Sequence, residues 1–282
     1  MKLLRAAVAD GCVKTGISID EIIYDTSSFG EDYGEAFFET DGITRLRHFI
    51  EGNMKMLPVI SPACRLCAPV SRPSKIVCIG LNYADHALET GLSIPPEPVI
   101  FLKSSSAYSG PFDDIILPLN SLKSDWEAEL AVVIGKRAAY VSEADALDFV
   151  AGYTVHNDVS EREYQLEKGG TWDKGKGCDT FAPMGPYLVT PDEIEDIHRL
   201  NIWLRVNGQL RQNSNTSQLI FSVPFLISYI SRFMTLLPGD IISTGTPAGV
   251  GMGLSPALFL RAGDVVETGI ENIGTIRQHV RG

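Results

Sequence analysis

Short apolar runs separated by turn-forming residues dominate the chain and predict a mixed, β-rich fold with few helices. The run at residues 75–80 is typical of a buried strand. The pair Asn207-Gly208 lies between two such runs and predicts a β-hairpin, because both central residues of the favoured turn need positive φ. Helical spacing predicts one helix over residues 42–54 and another directly after Ser222, which can cap it.

An extended segment containing two prolines, residues 67–73, divides the chain. Short runs, turn clusters and one predicted helix precede it, whereas mostly strands and turns follow it. We therefore expect a small N-terminal α+β domain at residues 1–70 and a larger domain, the one with candidate chemistry, at residues 71–282.

Composition narrows the class of protein. The chain has 282 residues, 44% of them hydrophobic, which is enough for a sizeable core. A net charge of −11 argues against a nucleic acid or an anionic membrane as partner. The chain has five cysteines, an odd number, and their spacing does not match a zinc site, so we expect them to be reduced thiols. No apolar stretch approaches a membrane-spanning length, and we expect a cytoplasmic protein.

Glu127 and Glu129 stand two residues apart in an apolar run, residues 125–135, that is typical of a buried strand. Side chains alternate along a strand, so both carboxylates point to one face. Two like charges resist burial unless a positive group lies between them. A hard divalent cation such as Mg²⁺, Mn²⁺ or Ca²⁺ meets this need because it takes oxygen ligands. The alternative is an edge strand with a solvated acidic face.

A second predicted strand, within residues 150–160, carries Asp158 near its end. This carboxylate can supply a third oxygen ligand. Three carboxylates from two strands, with waters, give an octahedral site that keeps open positions for a chelating substrate. The alternative for Asp158 is a turn or a helix cap, which is common for Asn-Asp at the end of a strand.

His86 and Glu89 are three residues apart on a predicted helix that follows the strand at 75–80. The carboxylate can orient the imidazole, which is the arrangement wanted for a general base acting on water. The alternative is a surface pair formed by chance.

Two glycine-rich loops complete the candidate chemistry. Residues 172–186 include Lys176, which can neutralise an oxyanion or a carboxylate beside a metal, although a solvated loop lysine is the alternative. Residues 237–251 form a strand followed by a turn whose hydroxyls and backbone N–H groups suit a bound carboxylate.

Taken together, these segments resemble the fumarylacetoacetate hydrolase family. The matching motifs are Gly-Leu-Asn-Tyr-Ala-Asp-His at 80–86, Glu-x-Glu-Leu at 127–130, Gly-Tyr-Thr-Val-x-Asn-Asp-Val-Ser at 152–160, Gly-Lys followed by Asp-Thr-Phe-x-Pro-x-Gly-Pro at 175–186, and Gly-Asp-x-Ile-x-Thr-Gly-Thr-Pro-x-Gly-Val-Gly at 239–251. The resemblance runs from about residue 75 to the C-terminus. It implies β-sheets rolled into a barrel-like core, a small variable N-terminal domain and a homodimer.

The resemblance also implies roles for individual residues. Glu127, Glu129 and Asp158 would bind the metal, which we expect to be Mg²⁺, with Mn²⁺ or Ca²⁺ as alternatives. His86 and Glu89 would activate water on a mobile lid, which we expect at residues 84–96, a segment that contains Gly91 and two prolines at 95–96. Lys176 would contact the enolate of the substrate. The implied substrate contacts are Gln165, Thr246, Arg162 and His156.

The chain departs from the common family pattern at two places. Residues 161–165 are Glu-Arg-Glu-Tyr-Gln where members commonly carry Ala-Arg-Asp, and His156 stands where alanine is frequent. With residues 169–181, this version resembles the branch that hydrolyses 2,4-diketo-3-deoxy sugar acids in fuconate and rhamnonate breakdown, often labelled ureidoglycolate lyase. His156 shares the strand face of Asp158 if the strand is regular. It would then face the substrate or lie behind the metal ligands, and a packed core histidine is the alternative.

We therefore predict a metal-dependent hydrolase of a small 2,4-dioxo acid that releases pyruvate and a second carboxylic acid. The same apparatus stabilises any pyruvate enolate, so an oxaloacetate decarboxylase or an enol–keto tautomerase is the enzymatic alternative. These reactions need no attacking water, and the pair of His86 and Glu89 favours hydrolysis. An alternative of a different class is a non-catalytic, metal-stabilised scaffold, which has no use for that pair.

Overall fold

The computed structural model describes residues 1–8, 11–61, 63–91 and 94–282, and these ranges are rich in strands. The strands are β1 (Lys2–Ala7), β2 (Val13–Ile19), β3 (Ile22–Asp25), β4 (Arg65–Cys67), β5 (Ile76–Gly80), β6 (Val99–Lys103), β7 (Tyr108–Ser109), β8 (Ile115–Ile116), β9 (Ser124–Asp125), β10 (Ala128–Ile134), β11 (Val150–Asn157), β12 (Ser160–Glu161), β13 (Ala182–Val189), β14 (Asn201–Val206), β15 (Gln209–Asn215), β16 (Ile241–Ser243), β17 (Val265–Ile270) and β18 (Gly274–Arg281). The α-helices are α1 (Glu35–Glu39), α2 (Gly42–Asn53), α3 (Ala84–Thr90), α4 (Asp173–Lys176) and α5 (Val223–Ile230).

The strands form two main sheets. The larger has the order β3-β2-β1-β13-β11-β10-β16-β5-β6, with β4 beside β1 and β7 beside β13. The smaller has the order β15-β14-β17-β18-β8, and β9 pairs with β12 separately. The prediction of a mixed, β-rich fold with few helices is confirmed.

The predicted barrel-like core is wrong, because both main sheets are open within the described ranges. β3 and β6 are the two edges of the larger sheet, and no pairing between described residues joins them. Alternation along a strand fixes which face is buried but not which edges meet. The prediction of a closed barrel therefore rested only on the family resemblance, and the strand pairing of this chain contradicts that prediction.

β10 and β11 lie near the middle of the larger sheet, and all seven residues of β10 are buried. The smaller sheet packs over them through β14, β17 and β18. Burial on both faces explains the continuous apolar run in this part of the sequence. It also means that a carboxylate on β10 needs a charged partner, since burial of an unpaired charge is costly.

The N-terminal region extends the larger sheet. β1 pairs with β13, where Leu3 lies opposite Leu188, and both leucines belong to the main hydrophobic core. The division into domains at residue 70 stays a prediction.

Two local predictions are confirmed. Asn207 and Gly208 have φ of 52° and 75° and connect β14 to β15, as the hairpin signal predicts. The oxygen of Ser222 accepts a hydrogen bond from the backbone N–H of Phe225 at 3.4 Å and caps α5. None of the helices in the described ranges is both long and apolar enough to cross a membrane.

Candidate metal centre and active site

The interruption between strands β9 and β10 determines where the side chains of Glu127 and Glu129 lie. The backbone N–H of Glu127, in the break, donates to the side chain of Asn157 at 3.0 Å. The next N–H, of Ala128, donates to the side chain of Gln212 at 2.8 Å. Side chains from neighbouring segments thus satisfy the backbone where the strand ladder is interrupted.

Asp158 follows β11 directly, and its N–H donates to the carbonyl of Glu127 at 2.9 Å. Glu127, Glu129 and Asp158 are 6%, 1% and 0% exposed, and each offers a carboxylate oxygen within 4.8 Å of the others. The structure therefore brings together the three acidic residues that the sequence singled out.

Buried cations surround two of these three carboxylates. Lys176 Nζ lies 2.6 Å from Glu127 Oε2 and 3.0 Å from Asp158 Oδ2. Lys103 Nζ contacts Asp158 Oδ1 and donates to the carbonyl of Val159 at 3.0 Å. Lys103 is 3% exposed and was missed by the sequence analysis. A usable signal existed, because alternation along β6 puts Lys103 on the same face as Phe101.

Arg162 is held by several acceptors at once. Its Nη2 lies 2.8 Å from both Asp125 Oδ2 and Glu127 Oε1, and its Nη1 donates to Gln165 Oε1 at 3.0 Å. Asp125 in turn accepts backbone hydrogen bonds from Gly251 at 2.7 Å and from Met252 at 3.0 Å. Arg162 therefore links Glu127 to the loop that follows β16, and Asp125 is a second residue that the sequence analysis left without a role.

Glu129 has no buried cation against it among the described residues. Its Oε2 accepts hydrogen bonds from Ser243 Oγ at 2.5 Å and from the N–H of Gly245 at 3.0 Å. Burial, followed by the charges of Asp158 and Glu127, raises the pKa of Glu129 well above its usual range. For Asp158, burial acts in the same direction, but Lys103 and Lys176 outweigh it and lower the pKa.

The donor set fits a hard divalent cation. The four carboxylates of Asp125, Glu127, Glu129 and Asp158 outnumber the three cations of Lys103, Lys176 and Arg162 by one charge. Among the described residues, Glu129 is the carboxylate of this group that has no buried cation against it. Carboxylate oxygens within 4.8 Å of one another suit the oxygen coordination of Mg²⁺, Mn²⁺ or Ca²⁺.

Helix α3 carries the candidate general base beside this acidic cluster. His86 Nδ1 lies 3.2 Å from Glu89 Oε2, and the two oxygens of Glu89 accept from the N–H of Gly249 at 3.0 and 3.1 Å. Asp85 Oδ2 accepts from Ser214 Oγ at 2.5 Å. The helix is thus fixed at two points to β15 and to the loop after β16. Of the predicted lid, residues 92–93 lie outside the described residues.

A cavity of about 250 Å³ connects these groups. Its polar lining consists of His86, Glu127, Glu129, Arg162, Gln165, Lys176 and Thr246. Its larger apolar lining residues are Ile79, Leu81, Leu166, Trp172 and Met252. Thr246 Oγ1 accepts from Gln212 at 2.8 Å, so this hydroxyl is oriented before any ligand arrives.

His156 is not among the residues that line this cavity. It is 0% exposed, and its Nδ1 lies 2.5 Å from the Oγ of Ser243, which is not a lining residue either. Burial lowers the pKa of His156 to about 3, so the imidazole is neutral. Its position is that of a residue behind a ligand rather than a contact of the substrate.

Comparison with known proteins agrees with this geometry. The profile of the fumarylacetoacetate (FAA) hydrolase C-terminal family matches residues 75–281. A Burkholderia lata protein, named as a hydrolase without a stated substrate, is 50% identical over 283 residues, covering 100% of this chain and 99% of its own.

Two solved structures are similar over the whole chain. Fumarylacetoacetate hydrolase from Exiguobacterium antarcticum is 33% identical with a TM-score of 0.87, and the match covers 100% of this chain and 99% of that one. Maleylpyruvate hydrolase from Sphingobium sp. SYK-6, in complex with manganese(II) ion and pyruvate, is 32% identical with a TM-score of 0.83 and the same coverage.

Fold and site thus define an enzyme of the hydrolase or isomerase type that acts on oxo acids. The chain belongs to the fumarylacetoacetate hydrolase family.

Proposed function

We propose that the protein is a divalent-metal-dependent hydrolase that cleaves the C3–C4 bond of a 2,4-dioxo acid to give pyruvate and a second carboxylic acid. The observation that carries the proposal is the position of His86, which lines the same cavity as Glu127, Glu129 and Lys176 and has its Nδ1 3.2 Å from Glu89 Oε2. A general base beside a cation site is what hydrolysis requires, whereas tautomerisation needs no activated water.

Glu127, Glu129 and Asp158 would hold Mg²⁺ or Mn²⁺, with Ca²⁺ as a further candidate. When bound, such a cation supplies Lewis-acid charge to the oxygens of a 2-oxo acid. It would also change the charge of the buried cluster from one excess negative to one excess positive, which favours an anionic substrate. The manganese and pyruvate in the related maleylpyruvate hydrolase support this choice.

The residues of the chain perform the remaining steps. His86, oriented by Glu89, takes a proton from water while the water oxygen attacks the C4 carbonyl. The C3–C4 bond then breaks, and its electron pair passes to C3 of the pyruvate enolate, which takes up a proton there. Lys176 stabilises the negative charge of the enolate with its ammonium group. Burial alone would lower the pKa of Lys176, but Asp158 and Glu127 outweigh burial and raise it, so the ammonium persists.

Gln165 and Thr246 would bind polar groups of the acyl portion, and Arg162 would act on them through Gln165. The segment at 160–181 supports a 2,4-diketo-3-deoxy sugar acid as substrate, because it resembles the branch that acts on such acids. We also propose a homodimer on the family resemblance alone, which light scattering will test.

The experiment is an assay of pyruvate release from a panel of 2,4-dioxo acids, including a 2,4-diketo-3-deoxy sugar acid and an unsubstituted acylpyruvate. Activity should vanish with EDTA and return with Mg²⁺ or Mn²⁺. Isomerisation is the second candidate, because a 2-hydroxyhepta-2,4-diene-1,7-dioate isomerase from Mycobacterium marinum is 36% identical with a TM-score of 0.76, over 100% of this chain and 98% of its own. A change in ultraviolet absorbance without pyruvate release would favour it.

A further inference from the structure

A chain of two hydrogen bonds ends on Glu129. Ser243 Oγ lies 2.5 Å from Glu129 Oε2, and His156 Nδ1 lies 2.5 Å from the same Ser243 Oγ. The three side chains come from adjacent strands, since β10 lies between β11 and β16 in the larger sheet. His156 is directly opposite Glu129 in the ladder, and Ser243 is opposite Ala131, two residues further along β10. Cross-strand neighbours of this kind share one face of the sheet.

The direction of these hydrogen bonds follows from the number of protons. A carboxylate that binds a divalent cation is ionised and only accepts, so in the metal-loaded protein the single hydroxyl proton of Ser243 goes to Glu129. Nδ1 of His156 must then carry a proton and donate it to Ser243. The other ring nitrogen, Nε2, is buried and has no hydrogen-bond partner among the described residues, and in this tautomer it is the unprotonated one.

Gly245 fixes the same oxygen from a second direction. Its N–H donates to Glu129 Oε2 at 3.0 Å with φ of 103°, a conformation that favours glycine. A Cβ at this position would lie 2.9 Å from Asn82 Cβ. Both donors to Glu129 bind Oε2, which leaves Oε1 as the oxygen with no described donor. The carboxylate is therefore oriented before a cation arrives.

We propose that Ser243 and His156 are positioning residues that act through Glu129 to strengthen binding of the divalent cation. The inference rests on the proposed metal site. Residues that orient a metal ligand by hydrogen bonding change metal affinity by roughly 10 to 100-fold when removed. Ser243 acts directly on Glu129, and His156 acts only through Ser243. The two residues should therefore behave as one unit rather than as two independent contributions.

The test is Mn²⁺ binding to the metal-free full-length chain, measured by calorimetry. Ser243→Ala and His156→Leu should each weaken binding about 10 to 100-fold. Their combination should weaken it no more than Ser243→Ala does, because the first change already disconnects His156. His156→Asn should keep Mn²⁺ affinity within about threefold of wild type, since the amide NH₂ can replace the Nδ1–H donor.

Thr154→Val is the matched control. Thr154 lies two residues before His156 on β11, is 1% exposed, and its hydroxyl makes no hydrogen bond in the described structure. Its replacement removes a buried hydroxyl from the same strand face without touching the chain of hydrogen bonds. Mn²⁺ affinity of this variant should equal that of wild type. Thermal unfolding without metal separates loss of fold from loss of affinity.

Three results would overturn the inference and leave the proposed metal site intact. Wild-type affinity in Ser243→Ala would show that Glu129 needs no orientation. Additive losses in the double variant would show that His156 does not act through Ser243. If His156→Leu does not fold, ¹⁵N NMR of the metal-loaded wild type decides, and a proton on Nε2 instead of Nδ1 would contradict the arrangement. No Mn²⁺ binding by folded wild type would instead overturn the proposed metal site, and this inference with it.

Discussion

Lys176 and Glu127 form a buried ion pair, with Nζ 2.6 Å from Oε2 and the lysine side chain 2% exposed. The same ammonium lies 4.8 Å from the centre of the Phe101 ring and makes a cation–π contact with it. A buried lysine that contacts both carboxylates and an aromatic ring has few alternative positions. It is therefore preorganised to meet negative charge that develops in the cavity.

We expect Lys176→Met to lower kcat for pyruvate release by about 10² to 10³-fold, the usual loss when one preorganised donor to a developing oxyanion is removed. Mn²⁺ affinity should hold or increase, because a cation that competes for Glu127 and Asp158 is gone. Lys174→Met is the matched control, since Lys174 is exposed and its Nζ donates to the carbonyl of Lys168. A large loss in the control, or none in Lys176→Met, would contradict the role.

The metal ligands are tested by Glu127→Gln. The amide keeps the shape of the side chain but removes the charge, so we expect Mn²⁺ binding to weaken more than about 100-fold. This loss exceeds the one expected when a residue that only orients a metal ligand is removed. Glu167→Gln removes a carboxylate that is 54% exposed and should bind Mn²⁺ as wild type does. Calorimetry on both metal-free proteins gives the comparison. Equal Mn²⁺ affinities of Glu127→Gln and Glu167→Gln would mean that the cation binds at another site.

Helix α3 should become more protected when the cavity is filled. Hydrogen exchange of peptides from residues 84–96, with Mn²⁺ and oxalate present, should be slower than in metal-free protein. Ser214→Ala removes the hydrogen bond to Asp85 and should speed exchange in α3 about tenfold. Ser217→Ala, at an exposed position, is the control. Unchanged protection with oxalate would mean that the segment is not a lid.

Much of the site could be predicted from short spacings. Glu127, Glu129, His86 and Glu89 were identified because two-residue and three-residue intervals fix a strand face and a helix face. Their convergence with Asp158 could not be derived from periodicity. It depends on the pairing of β10 with β11 and on the break after β9, which is stabilised by side chains distant in sequence.

The features of the site that the sequence did not predict depend on tertiary contacts. Lys103 lies at the end of β6, and only the packing of that strand against the loop of Asp158 gives it a charged partner. Arg162 lines the cavity, and its predicted contact with substrate stays a prediction. Its four hydrogen bonds and ion pairs to Asp125, Glu127 and Gln165 could not be derived from sequence spacing. Whether the sheets are open or closed likewise depends on which edge strands pair. The alternation of side chains along a strand does not determine that pairing.

The chain contains a natural comparison for the proposed general base. His48 and Glu51 on α2 have the same three-residue spacing as His86 and Glu89, and their side chains lie 3.4 Å apart. His48 is 73% exposed, however, whereas the His86 side chain is 10% exposed and lines the cavity. Spacing alone therefore does not make a catalytic pair, and burial beside the acidic cluster distinguishes the two.

If His86 activates water, His86→Ala should lose about two to four orders of magnitude of 2,4-dioxo acid hydrolysis, the usual contribution of a positioned general base. Oxaloacetate decarboxylation should fall much less, because it needs stabilisation of the enolate but no attacking water. His48→Ala should change neither rate. Pyruvate release from both substrates, under matched Mn²⁺, gives the comparison, and Mn²⁺ affinity should survive because His86 is not a proposed ligand. Equal losses on the two substrates would falsify the role of His86 and favour decarboxylation or tautomerisation, since the residue would then serve the enolate rather than the water.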